Sequence, residues 1–300
     1  MNTFALALAL VLQLTGTWAH LTPTAHQDLA AAARPHATTP QAVKPFVLPI
    51  RTGNGTLALP NDASILGIDR ATSLPLYSQN ADKQRPIASI TKLITALVIL
   101  SDHNPEEAVT IGTLPDYPLD AETIGLRQGE TYRLGDLVSA ALVPSANDAA
   151  DALAIYDSGS VMKFAGKMDA KMAKWDIKGT HFASASGLTD DGNYATARAL
   201  AQIGLLAMDN PTIKATVIKP TLTFNSKQGR AFSLESTNKL LAEGGFYGIK
   251  TGYTGAAGQC FVGITPVSGH DVVTVVLGTN DRFGDTQSLV NWIGSNWQWF

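Results

Sequence analysis

A serine and a lysine, Ser89 and Lys92, lie three residues apart within the otherwise almost wholly apolar run RPIASITKLITALVIL (residues 85–100). In a helix this spacing places both side chains on the same side, one turn apart. A lysine inside an apolar element is unusual unless it is paired or used, because its charge loses contact with water. A hydroxyl beside an amine can act as a nucleophile with its general base. A role for Ser89 as a helix cap alone would leave Lys92 unexplained.

The triplet Lys-Thr-Gly occurs once, at residues 250–252, in the glycine-dense segment YGIKTGYTGAAG that leads into a β-rich run. This context fits a strand edge that faces a ligand. Spacing alone does not single out the other motifs, because Ser-x-x-Lys and Ser-x-Asn each occur three times. The copies are Ser89/Lys92, Ser160/Lys163 and Ser236/Lys239, and Ser78/Asn80, Ser145/Asn147 and Ser236/Asn238.

The composition is that of a globular protein of 300 residues, with 45% hydrophobic and 16% charged side chains. A formal net charge of -3 and the absence of a dense Lys/Arg block argue against a nucleic-acid partner. The single cysteine, Cys260, excludes an internal disulfide and a multi-thiolate metal site. The strings HExxH, GxxxxGK[ST] and GxGxxG are absent, so common zinc-protease, P-loop and dinucleotide sites have no motif behind them.

The first 45 residues differ in composition from the rest of the chain. No charged side chain precedes Asp28, and the apolar run FALALALVLQL (residues 4–14) leads to a plausible cleavage site near Ala19. We predict a signal peptide over residues 1–19, with an uncleaved N-terminal membrane anchor as the alternative, because spanning needs about 20 residues. Residues 20–45 are predicted to be a disordered linker. Residues 46–300 are predicted to form one folded domain.

The pattern of elements predicts an α+β fold. Strands at both ends of the domain surround a mainly helical middle, so we expect the N- and C-terminal segments to share one antiparallel sheet. Predicted hairpins cover residues 64–76 and 260–278, and predicted helices cover residues 90–100, 134–156 with a break at Pro144, 195–208, and 288–300.

In chain order, Ser89-Ile-Thr-Lys92, Ser145-Ala-Asn147 and Lys250-Thr-Gly252 match the motif set of penicillin-interacting acyl-serine enzymes. Four longer blocks, RPIASITKLITAL, LVPSANDAADALA, THFASASGLTDDGNYATARALA and GIKTGYTGAAGQC, resemble the serine D-alanyl-D-alanine carboxypeptidases, the low-molecular-weight penicillin-binding proteins. The resemblance extends over about residues 45–300. It implies a β-lactamase/transpeptidase-like fold with a helical middle subdomain, and neither a metal ion nor a cofactor.

The resemblance also implies a function and a set of roles. The substrates would be peptidoglycan stem peptides, β-lactams would be covalent inhibitors, and the site of action would be extracytoplasmic. In the implied mechanism, Ser89 is the nucleophile, Lys92 is the base, and Ser145 relays the proton to the leaving D-alanine. Asn147 would hold Lys92 and the substrate amide, and the backbone N–H of Tyr253 would donate to the oxyanion. Lys250, Thr251 and Gly252 would bind the substrate, with Thr251 on its terminal carboxylate and Arg282 as an added charge near that carboxylate.

Lys92 can act as a base only if its amine is neutral, which requires a lowered pKa. Lowering the pKa of a free lysine from about 10.4 to near 7 requires roughly 4 to 5 kcal/mol. A helix N-terminus supplies at most ~2 kcal/mol. A second ammonium from Lys250 a few Å away supplies about 4 kcal/mol at an effective dielectric constant of 20, and desolvation adds to it. We therefore expect Lys92 and Lys250 to converge, with their mutual repulsion as the main cause of the lowered pKa. The backbone N–H of Ser89, at a helix start, is expected to face the oxyanion.

Three other functions share part of this pattern. A class A β-lactamase shares the motifs but needs a glutamate for deacylation, and no glutamate occurs between Glu130 and Glu235. An endopeptidase that cleaves D-alanyl cross-links would use the same chemistry and stays open. A non-catalytic module that binds β-lactams or the cell wall is the non-enzyme alternative. Family members often carry a further C-terminal β-rich domain and an anchor. We expect neither here, so any membrane attachment is expected through the N-terminal run.

Overall fold

The central feature of the fold is an antiparallel sheet of five strands. The computed structural model describes residues 47–188 and 192–300, so the predicted signal peptide or anchor and the predicted linker lie outside the described residues. The strand order in the sheet is β11-β12-β13-β2-β3. Its members are β2 (Ser64–Asp69), β3 (Pro75–Gln79), β11 (Tyr247–Thr254), β12 (Gly258–Val267) and β13 (His270–Thr279).

The sheet joins distant parts of the chain, as predicted. Strand β13 from the C-terminal segment pairs with β2 from the N-terminal segment, with Val273 opposite Ile68. The β12–β13 turn consists of Ser268 and Gly269, with φ angles of 51° and 84°. Two positive φ angles are what a two-residue hairpin turn needs to follow the strand twist. The predicted α+β class and both predicted hairpins are confirmed.

Smaller sheets and two 3-10 turns complete the β part. Strand β1 (Pro49–Arg51) pairs with β14 (Trp297–Trp299), so the two ends of the described domain meet. The other short strands are β4 (Arg85–Pro86), β5 (Ala108–Thr110), β6 (Thr131–Arg133), β7 (Thr180–His181), β8 (Tyr194–Ala195), β9 (Thr221–Asn225) and β10 (Ala231–Glu235), and the 3-10 turns are Ala88–Ile90 and Lys239–Glu243.

The helices lie mainly in the middle of the chain. All residues from Thr91 to Ile99 in the first helix are buried, which explains why its sequence is apolar on every side. The helices are α1 (Thr91–Asp102), α2 (Leu134–Leu142), α3 (Asn147–Ser158), α4 (Val161–Lys174), α5 (Ala197–Asp209), α6 (Pro211–Val217) and α7 (Arg282–Asn296). None of the helices in the described ranges has the length and apolar character needed to cross a membrane.

The central sheet separates two hydrophobic clusters. Along β2, Leu66 and Ile68 belong to the larger cluster with the helical middle of the chain, whereas Ile65 belongs to a smaller cluster with α7. This alternation follows from the two-residue period of a strand. Helices α1 and α3, which carry Lys92 and Asn147, both contribute buried apolar residues to the larger cluster.

The prediction for the C-terminal residues is wrong in two respects. The last helix begins at Arg282 rather than at Ser288, and residues 297–299 form strand β14 instead of continuing the helix. The sequence has no apolar periodicity at this helix start. The helix begins there because Asp281 caps it, accepting a 3.0 Å hydrogen bond from the backbone N–H of Gly284. The strand forms through pairing with β1, which a local sequence pattern does not reveal.

Candidate active site

Ser89 lies in the 3-10 turn that precedes α1. The turn begins with Ala88, whose φ angle of 46° is in the left-handed region, and it directs the chain into the buried helix. Ser89 does not serve as the cap of α1, since the capping position is Ile90 and no side chain there accepts a hydrogen bond. As a residue of the first turn, Ser89 has a backbone N–H with no place in the intrahelical ladder.

Lys92 is one turn further along and fully buried. Its Nζ is 2.7 Å from Oγ of Ser89 and donates a 2.8 Å hydrogen bond to the backbone oxygen of Ser186. When the amine is neutral, its lone pair can accept the proton of the Ser89 hydroxyl. The two side chains that we predict to be nucleophile and base are therefore within hydrogen-bond distance of each other.

The second motif forms a tight turn between α2 and α3. Ser145 has a φ angle of 69°, in the left-handed region, and Asn147 is the first residue of α3. The turn is held from outside by a 2.7 Å hydrogen bond from the backbone N–H of Asn147 to the oxygen of Glu122. The turn coincides with the predicted helix break at Pro144, since α2 ends at Leu142 and α3 begins at Asn147.

The third motif lies on strand β11. Nζ of Lys250 donates a 2.9 Å hydrogen bond to Oγ of Ser145 and a 3.0 Å bond to the oxygen of Thr251. Gly252 is needed for close packing, because a Cβ atom there would lie 2.9 Å from the backbone oxygen of Ile87, just before the nucleophile turn. The absence of a side chain thus lets the strand approach Ser89.

Burial is the main cause of the lowered pKa values of the two lysines. It lowers the pKa of Lys92 to about 7, although the carboxylates of Asp151, Glu122 and Asp148 oppose this shift. Burial likewise lowers the pKa of Lys250 well below its ordinary value, and the charge of Lys92 lowers it further. The expectation that repulsion between the ammonium groups dominates is therefore wrong. Both side chains are at most 1% exposed, and loss of water alone disfavours the charged form strongly.

Arg282 lies at the start of α7 and reaches the same region. Its Nη1 donates a 2.8 Å hydrogen bond to the oxygen of Gly252, and its buried Nε has no hydrogen-bond partner within residues 47–188 and 192–300. The guanidinium carbon also lies 5.0 Å from the ring centroid of Phe283. Arg282 thus adds a positive charge beside the Lys-Thr-Gly strand.

These elements meet at an open cleft of about 770 Å³. Lys92 and Lys250 lie buried next to it, in contact with the serines that line it. Seven of the predicted site residues line the cleft itself: Ser89, Ser145, Asn147, Thr251, Gly252, Tyr253 and Arg282. The structure therefore brings all nine predicted residues together.

One predicted contact is absent. We expected Asn147 to hold Lys92, but Lys92 instead donates to the backbone oxygen of Ser186. The side-chain oxygen of Asn147 is buried and has no hydrogen-bond partner among the described residues. An unpartnered acceptor that lines the cleft can take an N–H from a bound ligand.

Sequence reasoning missed three contributors to the site. Ser186 acts through its backbone oxygen, which no side-chain motif reveals. An acidic loop with Asp116, Asp120 and Glu122 lines the cleft, and Thr237 lines it beside Thr251. The only available signal for Thr237 was its place in the segment Ser-Thr-Asn-Lys, which carries spurious copies of two motifs.

The structure also explains why Ser160 and Ser236 occur in motif copies that lie outside the site. Ser160 is the cap of α4, where its Oγ accepts a 3.2 Å hydrogen bond from the backbone N–H of Lys163. Ser236 accepts a 3.2 Å bond from the backbone N–H of Asn238. Such local bonds commonly place serine at helix caps and turns. Within the described ranges, no group of three or more His, Cys, Asp or Glu side chains is arranged to hold a metal ion.

Comparisons with known proteins agree with this geometry. The family model described as D-alanyl-D-alanine carboxypeptidase (Peptidase_S11) matches residues 58–281. A D-alanyl-D-alanine carboxypeptidase of Bacillus subtilis, DacF, is 30% identical over 247 residues, which cover 76% of this chain and 60% of that relative's length. A D-alanyl-D-alanine endopeptidase of Escherichia coli is 30% identical, with 77% of this chain and 76% of the relative covered.

Solved structures show the same fold. A Streptomyces DD-transpeptidase has a TM-score of 0.75 and 31% identity, covering 80% of this chain and 100% of the other. Penicillin-binding protein D2 from Listeria monocytogenes, in its ampicillin-bound form, has a TM-score of 0.66 and 32% identity, covering 78% and 97%. The motifs, the cleft and the family match lead to one assignment: the chain belongs to the D-alanyl-D-alanine carboxypeptidase family, peptidase S11.

Proposed function

We propose that this protein is a serine-type D-Ala-D-Ala carboxypeptidase that acts on peptidoglycan stem peptides through an acyl-enzyme on Ser89. The observation that carries the proposal is the pair of buried amine and hydroxyl contacts at one cleft, Lys92 with Ser89 and Lys250 with Ser145. One pair supplies a nucleophile with its base, and the other supplies a path for the proton that the leaving group needs.

In the first half of the reaction, Oγ of Ser89 attacks the carbonyl carbon of the penultimate D-alanine while neutral Lys92 takes its proton. The backbone N–H groups of Ser89 and Tyr253 hold the oxyanion, an arrangement that typically contributes several kcal/mol. The tetrahedral intermediate collapses, and the C–N bond to the terminal D-alanine breaks. The leaving amine receives a proton through Ser145, whose hydroxyl contacts Lys250. The proton that Lys92 took from Ser89 replaces the one transferred, so Lys92 is neutral again when the amine has left.

The polar groups of the cleft would pair with the terminal carboxylate and the amide N–H of the substrate. Thr251 and Arg282 lie where the terminal carboxylate would sit, and the unpartnered oxygen of Asn147 would accept the substrate amide N–H. In the second half, water attacks the ester carbonyl while Lys92 takes a proton from the water. The ester bond to Oγ of Ser89 then breaks, Lys92 returns that proton to Oγ, and the shortened peptide leaves. If another amine replaced water, the same ester would give a transpeptidation product.

The proposal includes a place of action and a class of inhibitor. Peptidoglycan lies outside the cytoplasm, so the catalytic domain, residues 46–300, would act there, after export directed by residues 1–19 or while anchored through them. β-Lactams would acylate Ser89, in keeping with the ampicillin-bound form of the Listeria relative.

A second candidate is an endopeptidase that cleaves D-alanyl cross-links. It is favoured by one finding, namely that the E. coli relative bears that name at the same 30% identity as the Bacillus carboxypeptidase. The two activities share every bond-making step and differ in the group beyond the scissile bond.

The test offers the purified protein a pentapeptide ending in D-Ala-D-Ala beside intact cross-linked muropeptides, and measures released D-alanine and cleaved dimers. A fluorescent penicillin is added in parallel to label the nucleophile. We expect D-alanine release, labelling by penicillin, and loss of both in Ser89→Ala. The matched control is Ser160→Ala, which alters the cap serine of a Ser-x-x-Lys copy remote from the cleft motifs.

Three outcomes would change the assignment. Cleavage of cross-linked muropeptides alone would make the endopeptidase reading correct. Penicillin labelling without hydrolysis of either substrate would show that the protein is a β-lactam-binding module and not a peptidase. Labelling of Ser89→Ala at the wild-type level would show that another residue is the nucleophile.

A further inference from the structure

Thr237 is a polar residue of the cleft that the chemistry above does not use. It lies between β10 and the 3-10 turn Lys239–Glu243, and its side chain lines the cleft. Its Oγ1 is 2.5 Å from Oγ1 of Thr251, the residue proposed to meet the substrate's terminal carboxylate. Two hydroxyls at this distance share a hydrogen bond, so one must donate and the other must accept.

The segment that carries Thr237 is held by its backbone. The N–H of Thr237 donates a 3.1 Å hydrogen bond to the oxygen of Val143, two residues before Ser145. The N–H of Ser236 donates a 2.9 Å bond to the oxygen of Pro220, and the side-chain oxygen of Asn238 accepts a 3.1 Å bond from Leu240. Replacement of the Thr237 side chain leaves all three bonds in place.

A bound carboxylate decides the direction of the bond between the hydroxyls. An ionised carboxylate only accepts hydrogen bonds, so Thr251 must donate its single proton to it. The Thr251 hydroxyl then cannot also donate to Thr237, and Thr237 must be the donor. Donation to Thr251 polarises its hydroxyl and strengthens the bond that it makes with the anion.

We propose that Thr237 is a positioning residue for recognition of the substrate's C-terminal carboxylate: its hydroxyl donates to Oγ1 of Thr251 and directs the Thr251 proton toward the anion. The proposal deepens the function proposed above and rests on it. The Thr237 hydroxyl would strengthen the binding of ligands that end in a free carboxylate, compared with the same ligands that have a neutral end.

Two substitutions separate this role from a structural one. Thr237→Val keeps the shape and removes the donor, whereas Thr237→Ser keeps the donor and removes a methyl group. Each variant is assayed with a peptide ending in D-Ala-D-Ala as the free acid and with the same peptide as its C-terminal amide. We expect Thr237→Val to lower kcat/KM about 5- to 10-fold for the acid, mainly through KM, with less than about 2-fold change for the amide.

Thr237→Ser should restore kcat/KM for the acid to within about 3-fold of wild type, because the donor is present again. An equal loss with acid and amide would overturn the proposal and leave a purely structural role. An unchanged kcat/KM for the acid in Thr237→Val would overturn it as well.

A second readout makes this proposal independent of hydrolysis. The rate of Ser89 acylation is measured with a penicillin and with its methyl ester, in wild type and in Thr237→Val. A selective loss for the free acid supports the role of Thr237 even if the wild-type protein releases no D-alanine, in which case only the proposed function fails. Equal rates in both proteins with the free acid would overturn the role of Thr237 while the labelling itself persists.

Discussion

Lys92 is the residue at which catalysis and stability oppose each other. Its amine is fully buried, and burial lowers its pKa to about 7. A neutral amine 2.7 Å from Oγ of Ser89 is suited to remove the hydroxyl proton. The same burial costs folding free energy, because the unfolded chain keeps this lysine protonated and solvated at neutral pH.

The rate of acylation should therefore follow the ionisation of Lys92. Below pH 7 the amine is protonated and cannot act as base, so kcat/KM for D-alanine release should fall about tenfold per pH unit on the acid side of its pKa of about 7. The measurement is kcat/KM between pH 5 and pH 9. An activity that stays constant down to pH 5 would contradict the role of Lys92 as base.

Removing the lysine should stabilise the fold and abolish activity. The folded-state pKa is depressed, so unfolding takes up a proton between pH 7 and about 10.4, and this group's unfavourable contribution shrinks as pH rises through that window. In Lys92→Met we expect a free energy of unfolding at pH 7 that is higher by about 1 to 3 kcal/mol, after allowing for the unsatisfied oxygen of Ser186. The control is Lys163→Met, an exposed lysine of a second Ser-x-x-Lys copy, which should change neither quantity. A less stable Lys92→Met would refute the argument.

Individual site residues were predictable from the sequence where a reactive side chain lies in an unusual local sequence. Ser89 and Lys92 stand out because a charge lies in an apolar helix, and Lys250 stands out because its triplet is unique. Ser145 needed the family resemblance, since its spacing recurs elsewhere. Ser186 and Thr237 were not predictable, because one acts through a backbone oxygen and the other through a partner brought close by the fold.

At the scale of elements, the site depends on the close approach of two segments to the 3-10 turn that carries Ser89. Gly252 brings β11 to the backbone of Ile87, and Gly187 brings the Ser186 segment to the other side. Gly187 has a φ angle of 71°, and a Cβ atom there would lie 2.1 Å from the oxygen of Ala88. Both glycines therefore serve packing around Ser89 rather than flexibility.

The far end of α1 is fixed by a histidine. His103 ends the helix, and its two ring nitrogens lie 2.8 Å from Glu107 and 2.9 Å from Asp157. Two carboxylate partners require both nitrogens to donate, which only the imidazolium can do. Burial lowers the pKa of His103, but the two carboxylates more than offset this effect, so its pKa lies above the ordinary value.

This arrangement predicts a pH dependence of stability. The contribution of His103 should be fully present below about pH 6.5 and should be lost as pH rises through its raised pKa. In His103→Gln we expect the free energy of unfolding at pH 6 to fall by about 1 to 2 kcal/mol and its decline above neutral pH to flatten. Urea unfolding from pH 6 to pH 9 measures both effects, with His181→Gln as control. Parallel curves for wild type and His103→Gln would contradict the prediction.

Elements with a strong local signal were predictable, and those formed by pairing were not. The hairpins and the buried helix α1 followed from apolar runs and turn residues. The start of α7 is polar, and β14 exists only because β1 lies beside it. Likewise the loop with Asp116, Asp120 and Glu122 carries no periodic pattern, so its place at the cleft was not apparent.

At the scale of the whole molecule, the sheet divides the domain into a catalytic side and a supporting side. The smaller cluster consists of residues from α7 and the sheet together with Ala63, and residues of β14 pack against it. Trp297 packs against this cluster, and its Nε1 donates a 3.1 Å hydrogen bond to the oxygen of Leu76. Changes there should affect stability without altering the chemistry of the cleft.

Trp297→Ala tests this division. Loss of a large, partly buried ring should lower the free energy of unfolding by about 2 to 4 kcal/mol. Trp297→Phe, which keeps a ring but loses the N–H donor, should lower it by only about 1 kcal/mol. Urea denaturation gives these values, and kcat/KM at 25 °C should match wild type in both variants. A large drop in kcat/KM while the protein remains folded would show that the two sides are coupled.

The seam between β1 and β14 has a mechanical consequence. Leu48 and Phe300 face each other and exchange two backbone hydrogen bonds of 3.2 Å, at the end where both strands leave the ladder. A force that draws these two residues apart therefore loads one bonded pair at a time, as in unzipping, and not the whole ladder in shear. The seam should peel at low force while the five-stranded sheet and the cleft beside it keep their shape, so tension along the chain would be absorbed away from Ser89.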